Sequence, residues 1–456
     1  ILALCFFLLI KAINYALNKR MNFPFFIVKK IAFNQHQSFS RFILKISIAA
    51  VALSIAVMII ATALISGFQQ TISQKVFGFW AHIIVTPYQA AESLDKFPVN
   101  KNTALYMHPE QFQGVEHVQS VALKAGIIHT KEDFEGIILK GIGADFKKSP
   151  FTDYIVKGNL FNLNEDKNNE GILLSEITAN RLQAEVGDKL IISFFEDNAK
   201  IRKRTFKVSG IYNSGIEEFD KQYAWIDLAV IQDLNNWEKD EVGGFEVFVG
   251  KEYLFESKLK SYGKKLASIF LSREKAMALQ RDPLDRIGEK LFYAIDQDLF
   301  SQTIKEFKPD IFNWLSLQNT NEIVILLVML LVAAVNMITS LLILILERTR
   351  MIGILKALGS NNFQLRNIFV WNGVFIIGLG LIIGNLAGIS LCLIQDAFHV
   401  IKLPQDSYYI DYAPVKLEWP WILFLNIFTL LTGALFLLLP AMLVNRIQAI
   451  KAIRFS

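Results

Sequence analysis

Between Ile46 and Ser66 the chain runs 21 residues without a charge, and a stretch that long and that apolar has few structures open to it. In hydrocarbon no water is present to bond an open N–H or C=O, so the segment must close its own hydrogen bonds as a helix. The pattern returns three times, at Ile323–Leu346, Ile368–Ile394 and Trp419–Leu439, the last ending at Pro440. The expected fold class is therefore an α-helical membrane protein with four transmembrane helices, at 46–66, 323–346, 368–394 and 419–440. Composition agrees: 53% of residues are hydrophobic, mean hydropathy is +0.36, and there are 37 phenylalanines. The net charge of +5 is small, and the cations cluster beside the apolar runs as membrane-surface anchors. No basic stripe for nucleic acid is present. Cys5 and Cys392 both lie in apolar runs, so no disulfide framework is implied.

From Gly67 to about Thr320 the texture is that of a large α+β extracytoplasmic domain inserted between the first and second spans. Its core, about 80–250, is strand-rich: Ala81–Thr86, Ile127–Thr130, Gly136–Lys140, Leu190–Phe195 and Thr205–Ser209 carry β-branched and aromatic residues between turn signals. Leu190–Ser209 reads as a hairpin with Glu196, Asp197 and Asn198 near its tip, and Ser175–Gln183 as a helix capped by Ser175. A helical subdomain is expected over about 252–318. Residues 1–20 hold only ten apolar residues before Lys11, too few to span, and Met21 reads as a natural start. They are taken as an upstream extension, followed by an interfacial amphipathic helix over 21–45.

Lysine and arginine bias sets the orientation. Lys29, Lys30, Arg41 and Lys45, then Arg348, Arg350, Lys356 and Arg366, then Arg446, Lys451 and Arg454 fall on one side of four spans, whereas the 395–418 loop has only Lys402 and Lys416. Both termini, the 441–456 tail and the 347–367 connection are expected in the cytoplasm. That connection is part of the polar stretch Glu347–Phe369. Ile352, Leu355 and Leu358 recur there at i, i+3, i+6, which reads as an amphipathic helix at the membrane surface. An ordinary solvated loop is the plainer alternative. In the third span Gly380, Gly384 and Gly388 share one helical face and permit close approach, either by a neighbouring span or by a second subunit. Asn336 within the second span is expected to hydrogen-bond between helices rather than to bind a substrate.

Catalytic motifs are absent from the sequence. There is no GxxxxGK[ST] phosphate loop, no HExxH and no GxSxG, and His36, His82, His108, His117, His129 and His399 lack metal-ligand spacing. The spans carry no carboxylate to relay protons. The chain reads as a non-catalytic membrane subunit with no metal and no directly bound cofactor, driven by another polypeptide.

Several segments carry a family resemblance. They are PFFIVKKIAF with ISGFQQTI (Ile65–Ile72), GILLSEITANRLQAEVGDKLIISF with the run Phe206–Leu234, and IFNWLSLQNTN (Ile311–Asn321). VAAVNMITSLLILILERTRMIGILKALGS, SYYIDYAPVKLEW (Ser407–Trp419) and LPAMLVNRIQAIKAI (Leu439–Ile453) complete the set. Together they resemble the MacB/FtsX superfamily of ABC-transporter permeases, and within it the LolC/LolE-type permeases of lipoprotein-releasing complexes. One departure is visible: the Phe194–Arg204 hairpin is short and lacks proline, where the carrier-recruiting branch has an extended proline-rich hook.

The resemblance implies a permease of the bacterial inner membrane that dimerises with a second copy or a paralogue. It also implies binding to cytoplasmic ATPase subunits, with ATP and Mg on that partner. Transmission of ATPase closure would then extract lipoprotein cargo, with a periplasmic carrier as a further partner. Glu347, Arg348, Arg350, Ile352, Leu355, Lys356 and Leu358 become the ATPase-coupling residues. Val57, Met58, Ala61, Ile65, Ile325, Met329 and Val332 become lipid- or cargo-facing candidates. Two other readings stay open: a MacB/FtsX-like permease for peptide or drug efflux or cell-wall hydrolase regulation, and a membrane sensor or scaffold without an ATPase.

Overall fold

The first uncharged run does not stop where its charge-free stretch ends. In the computed structural model, which describes residues 38–91, 97–129, 134–163, 170–195, 201–254, 258–268, 281–404 and 408–442, it lies inside one helix, α1 (Ser38–Trp80). Expectations for 1–37 and 443–456 lie outside the described residues. The chain forms two compact units, one from the segment up to Gly67, Leu317–Val400 and the segment from Pro414, the other from Phe68–Ser316 and Ile401–Ala413. Helix α1 supplies residues to both.

The second unit is built on strands β1 (Ile83–Pro87), β2 (Val99–Asn100), β3 (Val115–His129), β4 (Phe134–Ile142), β5 (Ile155–Gly158) and β6 (Gly171–Ser175). They are followed by β7 (Lys189–Phe195), β8 (Ile201–Tyr212), β9 (Tyr223–Asp227), β10 (Glu241–Val242), β11 (Gly244–Val249) and β12 (Leu299–Thr303). Among the described residues ten strands form one sheet, ordered β12-β1-β11-β3-β4-β9-β6-β8-β5, with β7 joining β3 and β8. Helices α2 (Glu176–Leu182), α3 (Glu217–Gln222), α4 (Leu228–Asn235) and α5 (Pro283–Ala294) accompany it. Ser175 caps α2 through its side chain, which accepts from the Thr178 N–H, the role its hydroxyl suits. The 252–318 segment is not wholly helical, because Leu299–Thr303 pairs with β1 along five residues. LFSQT is too short for its alternation to stand out beside helical neighbours, and only the partner strand reveals it.

Aromatic side chains fill the space against this sheet. Phe79, Trp80, Phe151, Tyr212, Phe219 and Trp225 are fully buried. Trp225 lies 4.0 Å from Phe151 and 5.0 Å from Phe79 between ring centroids. The 401–413 segment belongs to the same unit, where Tyr409 packs against Trp314 and its carbonyl accepts from Lys75 Nζ at 3.1 Å.

The other unit holds α6 (Pro309–Glu347) from Leu317 onward, α7 (Thr349–Ala357), α8 (Asn362–Phe398) and α9 (Trp419–Ala441). With α1, helices α6, α8 and α9 are the four described helices long and apolar enough to cross a membrane. Their packing rests on small residues. The glycine face of α8 lies on α1: a Cβ at Gly384 would sit 1.8 Å from Ile55 Cγ2 and 2.5 Å from the Ala52 carbonyl oxygen. Gly380 meets Val51, and Gly388 meets Ala56. The close approach is thus made within the chain. Overpacking at Gly384 is expected to cost about 1–3 kcal/mol or more. Gly384→Leu should lower the unfolding midpoint in detergent by several degrees, whereas Leu386→Ala, on the exposed face of the same helix, should leave it nearly unchanged.

Candidate functional site

The polar stretch between α6 and α8 is bounded by two helix-ending devices. Arg348 leaves helical geometry (φ −99°, ψ 15°) and begins α7. At the other end Gly359 takes φ +90°, and the N–H groups of Gly359 and Ser360 donate to the Lys356 and Leu355 carbonyls at 3.1 and 3.0 Å. This left-handed termination favours glycine. Asn361 then opens α8 with a capping box, its N–H 3.1 Å from Gln364 Oε1. LGSNNFQ therefore ends one helix and starts another within a few residues.

The apolar residues of α7 do not share one free face. Steps of three residues fall short of a helical turn by about 60° each, so Ile352 and Leu358 stand about 120° apart. Ile352 is 0% exposed and packed into the core of its own unit, Leu355 is half-buried, and Leu358 is 77% exposed. This corrects the expectation that all three form one outward surface. The exposed stripe is instead Glu347, Arg350, Ile354 and Leu358, with Phe363 beyond the turn. Ile354 and Phe363 were missed because an i, i+3, i+6 reading passes over the i, i+4 pair Ile354–Leu358, which follows the helical surface more closely. Two cations border the stripe. The Arg366 guanidinium lies 5.2 Å from the Phe363 ring centroid. The Nε atoms of Arg348 and Arg366 are covered without an acceptor among the described residues. Lys356 is half-buried.

The lipid-facing candidates also divide. Met58 is 2% exposed and Ile65 is buried, because α1 is the most enclosed span; Val57, Ala61, Ile325 and Met329 are half-buried. Met58 and Ile65 are accordingly removed from the lipid-facing set. Val332 is exposed and belongs to a stripe on α6 with Val324, Leu327, Val328, Leu331 and Val335. Of the four spans α6 is the least enclosed by the rest of the chain and α1 the most. Asn336 is half-buried. The interhelical amide pair is made elsewhere, with Asn385 Nδ2 on α8 donating to Asn426 Oδ1 on α9 at 2.6 Å and the reverse bond at 3.0 Å. Each amide also donates to a carbonyl of its own helix, so little of its polarity is left open to lipid. Asn385 and Asn426 sit within the apolar runs as Asn336 does, and nothing in their spacing marks them as partners.

In the other unit the β7–β8 hairpin carries an apolar face. Ile191, Phe195 and Ile201 are exposed; Phe195 pairs with Ile201, and Ile191 pairs with His129, whose other partner is the exposed Phe134. The tip at 196–200 lies outside the described residues.

Among the described residues, four helices long and apolar enough to cross a membrane, an α+β domain between the first and second, and a short amphipathic helix between the second and third give the architecture of a multi-pass membrane protein. Residues 46–250 match the MacB-like periplasmic core domain and residues 323–449 match the FtsX-like permease C-terminal domain. The chain belongs to the MacB/FtsX permease superfamily. Along most of its length it is similar to LolC and LolE proteins. It is 24% identical over 436 residues to the lipoprotein-releasing system transmembrane protein LolC of Xylella fastidiosa, covering 92% of this chain and 96% of that one. It is 23% identical over 448 residues to the corresponding LolE of Haemophilus influenzae, covering 94% and 98%.

The burial pattern separates folding from surface roles on α7. Ile352→Asp should reduce the recovery of folded protein, because it buries an unpaired charge. Ile354→Asp and Leu358→Asp should leave recovery within twofold of the parent, as read by size-exclusion chromatography in detergent.

Proposed function

We propose that the chain is the permease subunit of an ABC transporter that extracts lipoproteins from the inner membrane and passes them to a periplasmic carrier. The observation that carries this reading is the exposed Ile354–Leu358–Phe363 surface, presented between two spans in a chain similar to LolC and LolE over nearly its whole length. Amphipathic helices of this kind fill apolar grooves on a partner, with rim charges setting orientation. The expected partner is a cytoplasmic ATPase that supplies ATP and Mg, and the exposed Glu347 and Arg350 beside the apolar stripe would set its orientation. Both termini and α7 lie in the cytoplasm in this reading, and the permease acts as a dimer with a second copy or a paralogue.

The α6 stripe Val324, Leu327, Leu331 and Val335 is the surface offered to acyl chains; it is exposed and apolar along about three turns. The face formed by Phe134, Ile191, Phe195 and Ile201 takes the carrier in place of a proline-rich hook. Its exposed rings and branched side chains suit a protein that itself binds lipid.

Two measurements test these assignments. Leu358→Asp or Ile354→Asp should abolish co-purification of the ATPase with a folded permease; unchanged recovery of the ATPase would remove the coupling assignment. Phe195→Asp with Ile201→Asp should reduce transfer of acylated protein to the carrier at least tenfold while ATP hydrolysis stays within twofold. Absence of any crosslink between the complex and an acylated protein under turnover would count against lipoprotein release.

A further inference from the structure

Helix α1 passes into the sheet with no linker. Its last turn ends at Trp80, Ala81 takes φ +59°, and β1 begins at Ile83. His82 is bonded on three sides: its N–H donates to the Val247 carbonyl at 3.1 Å, its carbonyl accepts from the Ile304 N–H at 3.0 Å, and its Nδ1 accepts from the Val249 N–H at 3.0 Å. The Phe79 carbonyl, one of the last four in the helix, has no intrahelical donor. It accepts from Lys140 Nζ at 2.6 Å.

Lys140, on β4, is 0% exposed and pairs with Glu246 on β11, which is 1% exposed. Glu246 Oε2 accepts from Gln119 Nε2 on β3 at 2.7 Å, and Gln119 Oε1 accepts from the Lys147 N–H at 2.9 Å. The ammonium also lies 4.3 Å from the Trp80 ring centroid and 4.7 Å from that of Trp225. One buried cation thus joins the end of α1 to three adjacent strands. Burial pushes the Lys140 ammonium below its ordinary range, and Glu246 opposes that shift.

Stability alone does not account for such a pair. Taking two charges out of water costs several kcal/mol per ion, and apolar replacement of a buried pair is often neutral or stabilising. The aromatic surroundings of Lys140 could hold apolar side chains. What the pair provides and apolar contacts lack is direction, because a charged hydrogen bond to one carbonyl specifies the rotation and depth of the helix end. We propose that Lys140 and Glu246 are positioning residues for transmission, locking the last turn of α1 to the sheet so that displacement of the helix moves the sheet instead of slipping at the junction. The proposal rests on reading the chain as an ATP-driven permease.

The test uses the full complex with its ATPase, comparing the parent with Lys140→Met/Glu246→Leu, which leaves no charge unpaired. The double variant should keep its unfolding midpoint within a few degrees and ATP hydrolysis within twofold. Lipoprotein release should fall at least tenfold, and amide exchange across Ala81–Ile83 should quicken at least tenfold. Lys140→Arg with Glu246 retained should keep most of the release. Parental release by a folded double variant would overturn the proposal. So would a double variant that unfolds or loses more than about ten degrees, since the pair would then be holding the domain together. If the parent complex itself releases no lipoprotein, the transporter reading fails, and the lock stands or falls on amide exchange alone.

Discussion

The structure depends on how one helix ends. An apolar helix closes its own hydrogen bonds along its length but leaves its last carbonyls open, and α1 continues to Trp80 before that happens. There the Phe79 carbonyl meets a buried lysine, and the following backbone enters the sheet at once. The sheet returns to the next long helix by a similar route, since β12 pairs with β1 and α6 begins at Pro309. Two adjacent strands, β1 and β12, therefore follow α1 and precede α6 in the chain.

Packing among the spans uses a different physics. Lipid tails are as apolar as leucine, so helix association comes from close van der Waals contact and paired polar groups. Gly384 provides the first by admitting Ile55 and Ala52 of α1, and the Asn385–Asn426 amides provide the second. With its small-residue face used inside the chain, the third span turns Leu386, Leu391 and Ile394 outward.

The candidate site was half legible. The Glu347–Phe369 stretch announces itself by placing cations between two apolar runs, and its helix forms where that pattern puts it. Which apolar residues face outward did not follow from spacing alone. Ile352 is drawn into the core beside Leu365 and Ile368, whereas Ile354 lies on the opposite side of the helix. The same limit applied to Met58 and Ile65: a span that faces lipid and one that faces other spans are written in the same residues, and only the neighbours separate them.

The sequence by itself determined that four of its runs are long and apolar enough to cross a membrane, that an α+β domain lies between the first two of them, and that no GxxxxGK[ST] or HExxH motif occurs in it. These follow from local quantities: run length without charge, alternation and motif spacing. Tertiary structure alone decided that Lys140 and Glu246, 106 positions apart, meet beneath the end of α1, and that β12 closes one edge of the sheet. It also decided that Leu358 stays exposed while Ile352 does not. Each is a choice of partner across long sequence separation, made by burial and hydrogen-bond satisfaction once the chain has closed on itself, and no local pattern carries it.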